Sequence, residues 1–147
     1  MTKKTVLLAA TLLSACAFMP EGTHHPTQTQ PPDKRQAAYC SAQSCTVRIS
    51  VDANCVVSAD PFVLVMGGTR PPITVVWTVS GPSAAFAAGN GIVFDPNGTG
   101  VFTKREGGQQ SYVFQNSGTN GSYHYVVNAT QGGRPCPTLD PTGVNEM

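Results

Sequence analysis

The alternation in Ile73–Ser80 constrains the fold more than any other feature of the chain. Ile73, Val75, Trp77 and Val79 take turns with Thr74, Val76, Thr78 and Ser80, which is the two-residue period of a strand with one buried face. Trp77 is the only tryptophan in the sequence. On the Ile/Val side of that strand it is expected to sit at the centre of a core, where an indole covers about 150–250 Å2. In the other role common to tryptophan, it would lie exposed and stack on sugar.

The same period recurs elsewhere. Val47, Ile49 and Val51 alternate with Thr46, Arg48 and Ser50, and Phe62–Met66 is a short apolar run between Asp60-Pro61 and Gly67-Gly68. Asn-Gly pairs follow at 90–91, 97–98 and 120–121. Both residues tolerate the positive φ that tight hairpins require. Asn97-Gly98 is therefore expected to join strands over 91–94 and 100–103, and Asn120-Gly121 to join Ser111–Gln115 to Ser122–Ala129. In that last strand Tyr123, Tyr125 and Val127 share one face, and His124, Val126 and Asn128 share the other. The one candidate helix, Pro82–Ala88, is a single turn. About seven short strands with frequent turns and no long helix predict an all-β chain folded as an antiparallel β-sandwich.

The amino terminus has a different character. Lys3 and Lys4 precede the apolar stretch Val6–Leu13, which is too short to span a bilayer and has the form of a signal-peptide core. Leu13-Ser14-Ala15-Cys16 follows directly and resembles the lipobox of bacterial lipoproteins. The resemblance covers residues 1–16. It implies that residues 1–15 are removed and that the Cys16 thiol carries diacylglycerol, so that a membrane is one partner. A buried methylene contributes about 0.8 kcal/mol and a single acyl chain binds only marginally, so stable anchoring takes two or more chains. Ala17 stands where an Asp is associated with inner-membrane retention in enteric-type bacteria. The resemblance thus also implies an outer-membrane location facing the periplasm.

Loss of residues 1–15 leaves about 130 residues, enough for one domain. Lys3 and Lys4 leave with the signal, so the nine Lys and Arg fall to seven against eight Asp and Glu. A chain so near neutrality has no basic surface from which to release counterions, which argues against nucleic acid as a partner. Residues 16–38 are rich in Pro, Thr and Gln without apolar periodicity, and are expected to form a lipidated flexible tether. Its roughly 22 free residues would hold the domain, 39–147, about 25 Å from the bilayer.

With Cys16 assigned to lipid, four of the five cysteines remain: Cys40, Cys45, Cys55 and Cys136. An even number in an exported chain reads as two disulfides, for which three connectivities exist. The preferred one makes Cys40–Cys45 a small local loop and Cys55–Cys136 the long staple, worth about 4 kcal/mol in the loop-entropy account. Zinc is the competing use, but Cys-x4-Cys and Cys-x9-Cys match no familiar ligand pair.

Two sandwich families resemble this pattern in part. Cys55, Trp77 and Cys136 have the Cys…Trp…Cys order of immunoglobulin domains, although Arg134-Pro135 stands where that family has its Tyr before the second Cys. The segment Tyr123-His124-Tyr125…Cys136…Asp140-Pro141 is similar to a cupredoxin carboxy terminus. A blue-copper site needs two His, a thiolate and usually a Met, and no His follows Cys136. Either resemblance implies an architecture (immunoglobulin-like or cupredoxin-like) and neither implies a copper site or any other functional residue.

Catalytic chemistry finds little support. A nucleophile needs an oriented base, and the expected domain holds one His, His124, with His24 and His25 in the tether. The carboxylates Asp52, Asp60, Asp95, Glu106 and Asp140 are scattered, and Asp60, Asp95 and Asp140 each precede Pro, a turn setting. No cofactor or metal is expected. The most polar connection, 104–110, is expected to be a loop whose Lys104, Arg105 and Glu106 are candidate contact residues. The composite expectation is a non-enzymatic envelope lipoprotein that binds a protein partner or serves a structural role. Alternatives are an inhibitor of an envelope hydrolase or a carbohydrate-binding module.

Overall fold

A computed structural model describes residues 27–28, 30, 36–67 and 71–146. Cys16, His24 and His25 lie outside them. The elements in chain order are β1 (Thr27–Gln28), β2 (Ala37–Cys40), β3 (Ser44–Val51), β4 (Val57–Asp60), β5 (Val63–Gly67), β6 (Ile73–Ser80), β7 (Ala84–Phe86) and β8 (Ile92–Phe94). A one-turn helix, α1 (Pro96–Thr99), comes next. It is followed by β9 (Phe102–Gly107), β10 (Ser111–Asn116), β11 (Gly121–Val127), β12 (Ala129–Gln131), β13 (Arg134–Pro135), β14 (Thr138–Leu139) and β15 (Thr142–Glu146).

Alternation decides which side chains go inside. In β3 and β6 every second residue is buried, placing Val47, Ile49, Val75 and Trp77 inward and Thr46, Arg48, Thr74 and Thr78 outward. The second sheet is five-stranded, ordered β4-β3-β6-β10-β9. The first is seven-stranded, running β1-β14-β11-β15-β5-β2 with β8 paired to β11. A small third sheet has the order β13-β12-β7. The chain is an all-β sandwich, and its sheets are mixed. The pairs β3–β6, β5–β15, β2–β5 and β1–β14 are parallel, and the other pairs are antiparallel.

Trp77 joins the two main sheets. Its ring meets Phe114 of the second sheet at 5.4 Å, and Phe94 and Tyr125 of the first at 5.9 and 5.4 Å, all edge-on. Such pairs add about 0.5–1.5 kcal/mol each beyond area burial. The indole is 1% exposed, as the alternation required. Phe94 also stacks on Phe102 at 4.1 Å.

The disulfides are Cys40–Cys45 and Cys55–Cys136. The first ties β2 in one sheet to β3 in the other. The second closes a sequence separation of 81, restricting the unfolded chain by about 4.5 kcal/mol in the loop-entropy account.

Several sequence expectations need correction. None of the Asn-Gly pairs closes a hairpin. Asn120-Gly121 carries the chain from β10 in the second sheet to β11 in the first, and residues 90–91 lead from β7 to β8, again in different sheets. Asn97-Gly98 lies within α1, where Asp95 caps the turn by accepting the Gly98 N–H at 2.7 Å. The one helical turn is thus there, and the stretch expected to be helical holds β7 instead. The hairpins turn at 52–56, at 108–110 and at Gly132-Gly133, whose φ values of 57° and 81° suit only glycine readily. Within the stretch expected to be a tether, Thr27–Gln28 pair with β14 and Gln30 is buried. The Gln30 amide accepts the Ala59 N–H at 2.9 Å and donates to its carbonyl at 3.3 Å, occupying the open edge of β4 as a neighbouring strand would.

Candidate functional site

Lys104, Arg105 and Glu106 lie on β9, an exposed edge strand, and not in a connecting loop as expected. Val113 pairs with Glu106 and Phe114 with Lys104, so Arg105 is the extra residue of a bulge. The Arg105 guanidinium donates to the Gln115 side chain. Lys104 Nζ lies 4.7 Å from the centre of the Tyr112 ring and 3.5 Å from the Gly89 carbonyl. Charges and a bulge on an edge are the usual means of preventing a foreign strand from pairing there. The geometry therefore accounts for these residues without a ligand.

Two concavities border sheet edges. One, of about 310 Å3, opens between β8 and β9 over Ile92, Phe94, Phe102 and Phe114, with Lys104 at its rim. The other, of about 360 Å3, lies between β2 and the start of β3, lined by Tyr39, the Cys40–Cys45 bridge, Thr46, Pro61 and Leu64. Neither brings a His, a carboxylate and a nucleophile together.

His124 is exposed on β11, and its Nδ1 lies 3.6 Å from Asp140 Oδ1. Both side chains are about half in solvent (58% and 48%), so the pair contributes little to stability. Across the strand pair His124 faces Thr142. Among the described residues no group of three or more His, Cys, Asp or Glu could hold a metal ion. Asp95 caps α1, as its turn setting implied. Asp140 pairs with His124, and Asp52, not singled out as a turn residue, accepts the Asn54 and Val56 N–H groups at 2.8 and 2.9 Å to shape the β3–β4 hairpin.

The outer faces of the two sheets differ in chemistry. The second turns Thr46, Arg48, Ser50, Thr74 and Thr78 outward around one paired couple of half-buried valines, Val76 and Val113, a largely polar surface. The first turns out Val63 and Val65 of β5, Val144 of β15 and Val126 of β11, all half-buried, beside Tyr39 and Val93 at 61% and 43% exposure. Register places Tyr39 next to Val65 and Val65 next to Val144. No strand of this sheet contains Lys or Arg. Parallel strands are normally covered on both faces, and among the described residues no further strand or helix is assigned over the outer face of β2–β5–β15. The sequence signal was present in the outward valines of the short apolar run, but a continuous run does not reveal which of its faces is solvated.

Two buried polar devices also escaped the sequence reading. Asn116 and Asn145 bridge the sheets by their amides, and Gln30 clamps Ala59. The Tyr125 hydroxyl and Trp77 Nε1 are buried without a well-aligned partner. Burial raises the Tyr125 phenol pKa well above its ordinary value, the nearby indole N–H offsetting only part of the effect. No protein-family model and no curated protein matches the chain.

Proposed function

We propose that this is a lipid-anchored protein of a bacterial cell envelope, held at the outer membrane by acyl chains on Cys16 and acting through protein contacts rather than catalysis. The anchor is supported by Leu13-Ser14-Ala15-Cys16 behind its short apolar stretch. The contact role is supported chiefly by one observation, the outward aliphatic face of the first sheet with Tyr39 and Val93 standing exposed on it. A face whose strands carry no Lys or Arg has little to offer anionic lipid headgroups or phosphate, whereas aliphatic side chains beside a tyrosine are what protein interfaces use. Inhibition of an envelope hydrolase is one form such binding takes. Sugar stacking through Trp77 has no support, because the indole is enclosed by Phe94, Phe114 and Tyr125.

Both halves of the reading are open to test in intact envelopes. Cys16→Ser should leave a heavier precursor that takes up no labelled fatty acid, and normal cleavage and release of that variant would remove the anchor. A photoreactive amino acid at Val65 should cross-link to protein on illumination, while the same probe at Thr78 on the other sheet should not. Cross-links from Thr78 alone, or from neither position, would overturn the contact surface.

A further inference from the structure

We propose that the edge of β2 pairs with β2 of a second copy of this chain, antiparallel about Ala38, so that two seven-stranded sheets become continuous. This rests on the protein-contact reading above and names the partner.

Other strand edges of the sandwich are each closed or guarded. The β4 edge is filled by the Gln30 amide. That of β9 carries Lys104, Arg105 and Glu106 on a bulge. Pro135 sits in β13 and cannot donate to a ladder. Carbonyls of Gly81 and Gln109 take up the N–H groups of Ala84 and Phe86 in β7. Lys104 stands at the rim of the groove beside β8, and β1 is two residues long. Against this, Ala37-Ala38-Tyr39-Cys40 has no charge, no proline and no bulge, and among the described residues it pairs on one side only. An edge of that composition is a template for another strand.

Its geometry suits self-pairing. The Gln36 carbonyl turns toward β5, accepting from Phe62 and Val63 at 2.9 and 3.1 Å. Alternation along the strand then leaves the N–H and C=O of Ala37 and Tyr39 facing outward. With the two-fold axis at Ala38, Ala37 of each copy opposes Tyr39 of the other, and each such pair exchanges both backbone hydrogen bonds. On the outer face the tyrosine ring then stands beside an alanine methyl, large against small. Gly67 contributes to the same surface. A side chain there would collide with the Tyr39 hydroxyl, so the glycine lets the ring lie across β5. Because the strand is uncharged, two copies meet without repulsion. One short edge and one aromatic ring bury well under the roughly 800 Å2 per partner of a stable complex. Pairing is therefore weak in dilute solution and depends on the concentration that a membrane anchor provides.

The test uses the full-length protein in its envelope with a photoreactive amino acid at Ala38. Illumination should give a product of twice the chain mass in which the 38–45 region is joined to the same region of a second copy. Adding Ala37→Glu should lower the yield about tenfold or more, because a carboxylate pressed beside the opposing Tyr39 loses water without gaining a partner. Thr78→Glu on the other sheet should leave the yield unchanged, and both variants should unfold at the parental midpoint. A product containing a different protein would overturn self-pairing and leave the protein-contact reading standing. Cross-linking from Val65 but not from Ala38 would do the same. Silence at both positions would end both proposals.

Discussion

Asn116 and Asn145 face one another in the core between the two main sheets. Asn116 Nδ2 donates to Asn145 Oδ1 at 2.6 Å, and Asn145 Nδ2 returns a bond to Asn116 Oδ1 at 3.0 Å. Asn116 Oδ1 also accepts the Gly118 N–H at 2.9 Å, and Asn145 Nδ2 donates to the Thr119 carbonyl at 2.8 Å. The pair thus fixes the crossing from β10 to β11 while fastening β10 to β15. A buried amide pair that satisfies itself tolerates removal of both members better than removal of one.

Asn116→Leu should accordingly cost about 2–3 kcal/mol, since it strands Asn145 Oδ1 and the Gly118 N–H while Asn145 Nδ2 keeps the Thr119 carbonyl. Replacing both residues with Leu should recover part of that loss. Chemical unfolding of the two single variants and the double variant measures the coupling. Strictly additive losses would show that the amides act independently.

How much of this was legible in the sequence depends on the range of each interaction. The bounds of Ile73–Ser80 and the inward set Ile73, Val75, Trp77 and Val79 follow from parity alone, because a strand's pleat is local. The same parity continues Tyr112 and Phe114 to Asn116, and Gly143 to Asn145, but the strand expected over Ser111–Gln115 stops one residue short of Asn116 and no strand is expected at Asn145. Without a partner in view, an inward Asn at a strand end looks like a turn residue. Asn-Gly signals a local reversal and says nothing about which sheet the next strand joins, which is why 120–121 reads as a hairpin and is a crossing between sheets. Parallel pairing of β3 with β6 and of β5 with β15 depends on strands distant in sequence, and short-range pattern carries no record of it. Gln30 was illegible for a related reason. Its burial is determined by the open edge at Ala59, 29 residues away. The disulfide pairing was recoverable because few connectivities compete and the preferred one combines a local loop with a long staple.

Tyr125 gives the fold an alkaline sensitivity. Burial raises its phenol pKa above the ordinary 10.0, so the folded state resists losing that proton. Below pH 10 both states are protonated and the contribution is fully present. Above pH 10 the unfolded state binds fewer protons than the folded one, and stability falls by about 1.4 kcal/mol per pH unit until the folded phenol ionises. Tyr125→Phe should remove this slope. At neutral pH it should be neutral or mildly stabilising, because the hydroxyl it deletes is buried without an aligned partner. Unfolding midpoints of parent and variant between pH 9 and 11 decide the matter, and parallel curves would refute it.

The charges on β9 have a consequence for solubility. If Lys104, Arg105 and Glu106 guard the edge, replacing all three with Thr should change stability by no more than about 1 kcal/mol while making the protein associate. Light scattering during incubation near the unfolding midpoint provides the readout. Scattering no greater than that of the parent would leave edge protection without support and return these residues to the candidate contact set.

Trp77 carries the largest single share of the core. It lies on β6, the strand flanked by β3 and β10 at the middle of the second sheet, and its ring meets Phe114 of its own sheet and Phe94 and Tyr125 of the first edge-on, beside a direct Phe94–Phe114 contact at 5.2 Å. Trp77→Ala should cost about 3–5 kcal/mol, because the cavity is walled by rings on different sheets that cannot collapse together without sliding both. Trp77→Phe should cost less, since a smaller ring keeps the edge-on contacts and also removes the buried Nε1–H that lacks an aligned partner. Equilibrium unfolding of the two variants tests the order. If Trp77→Ala left the midpoint unchanged, the indole would not be the join between the sheets, and a surface role in ligand stacking would have to be reconsidered.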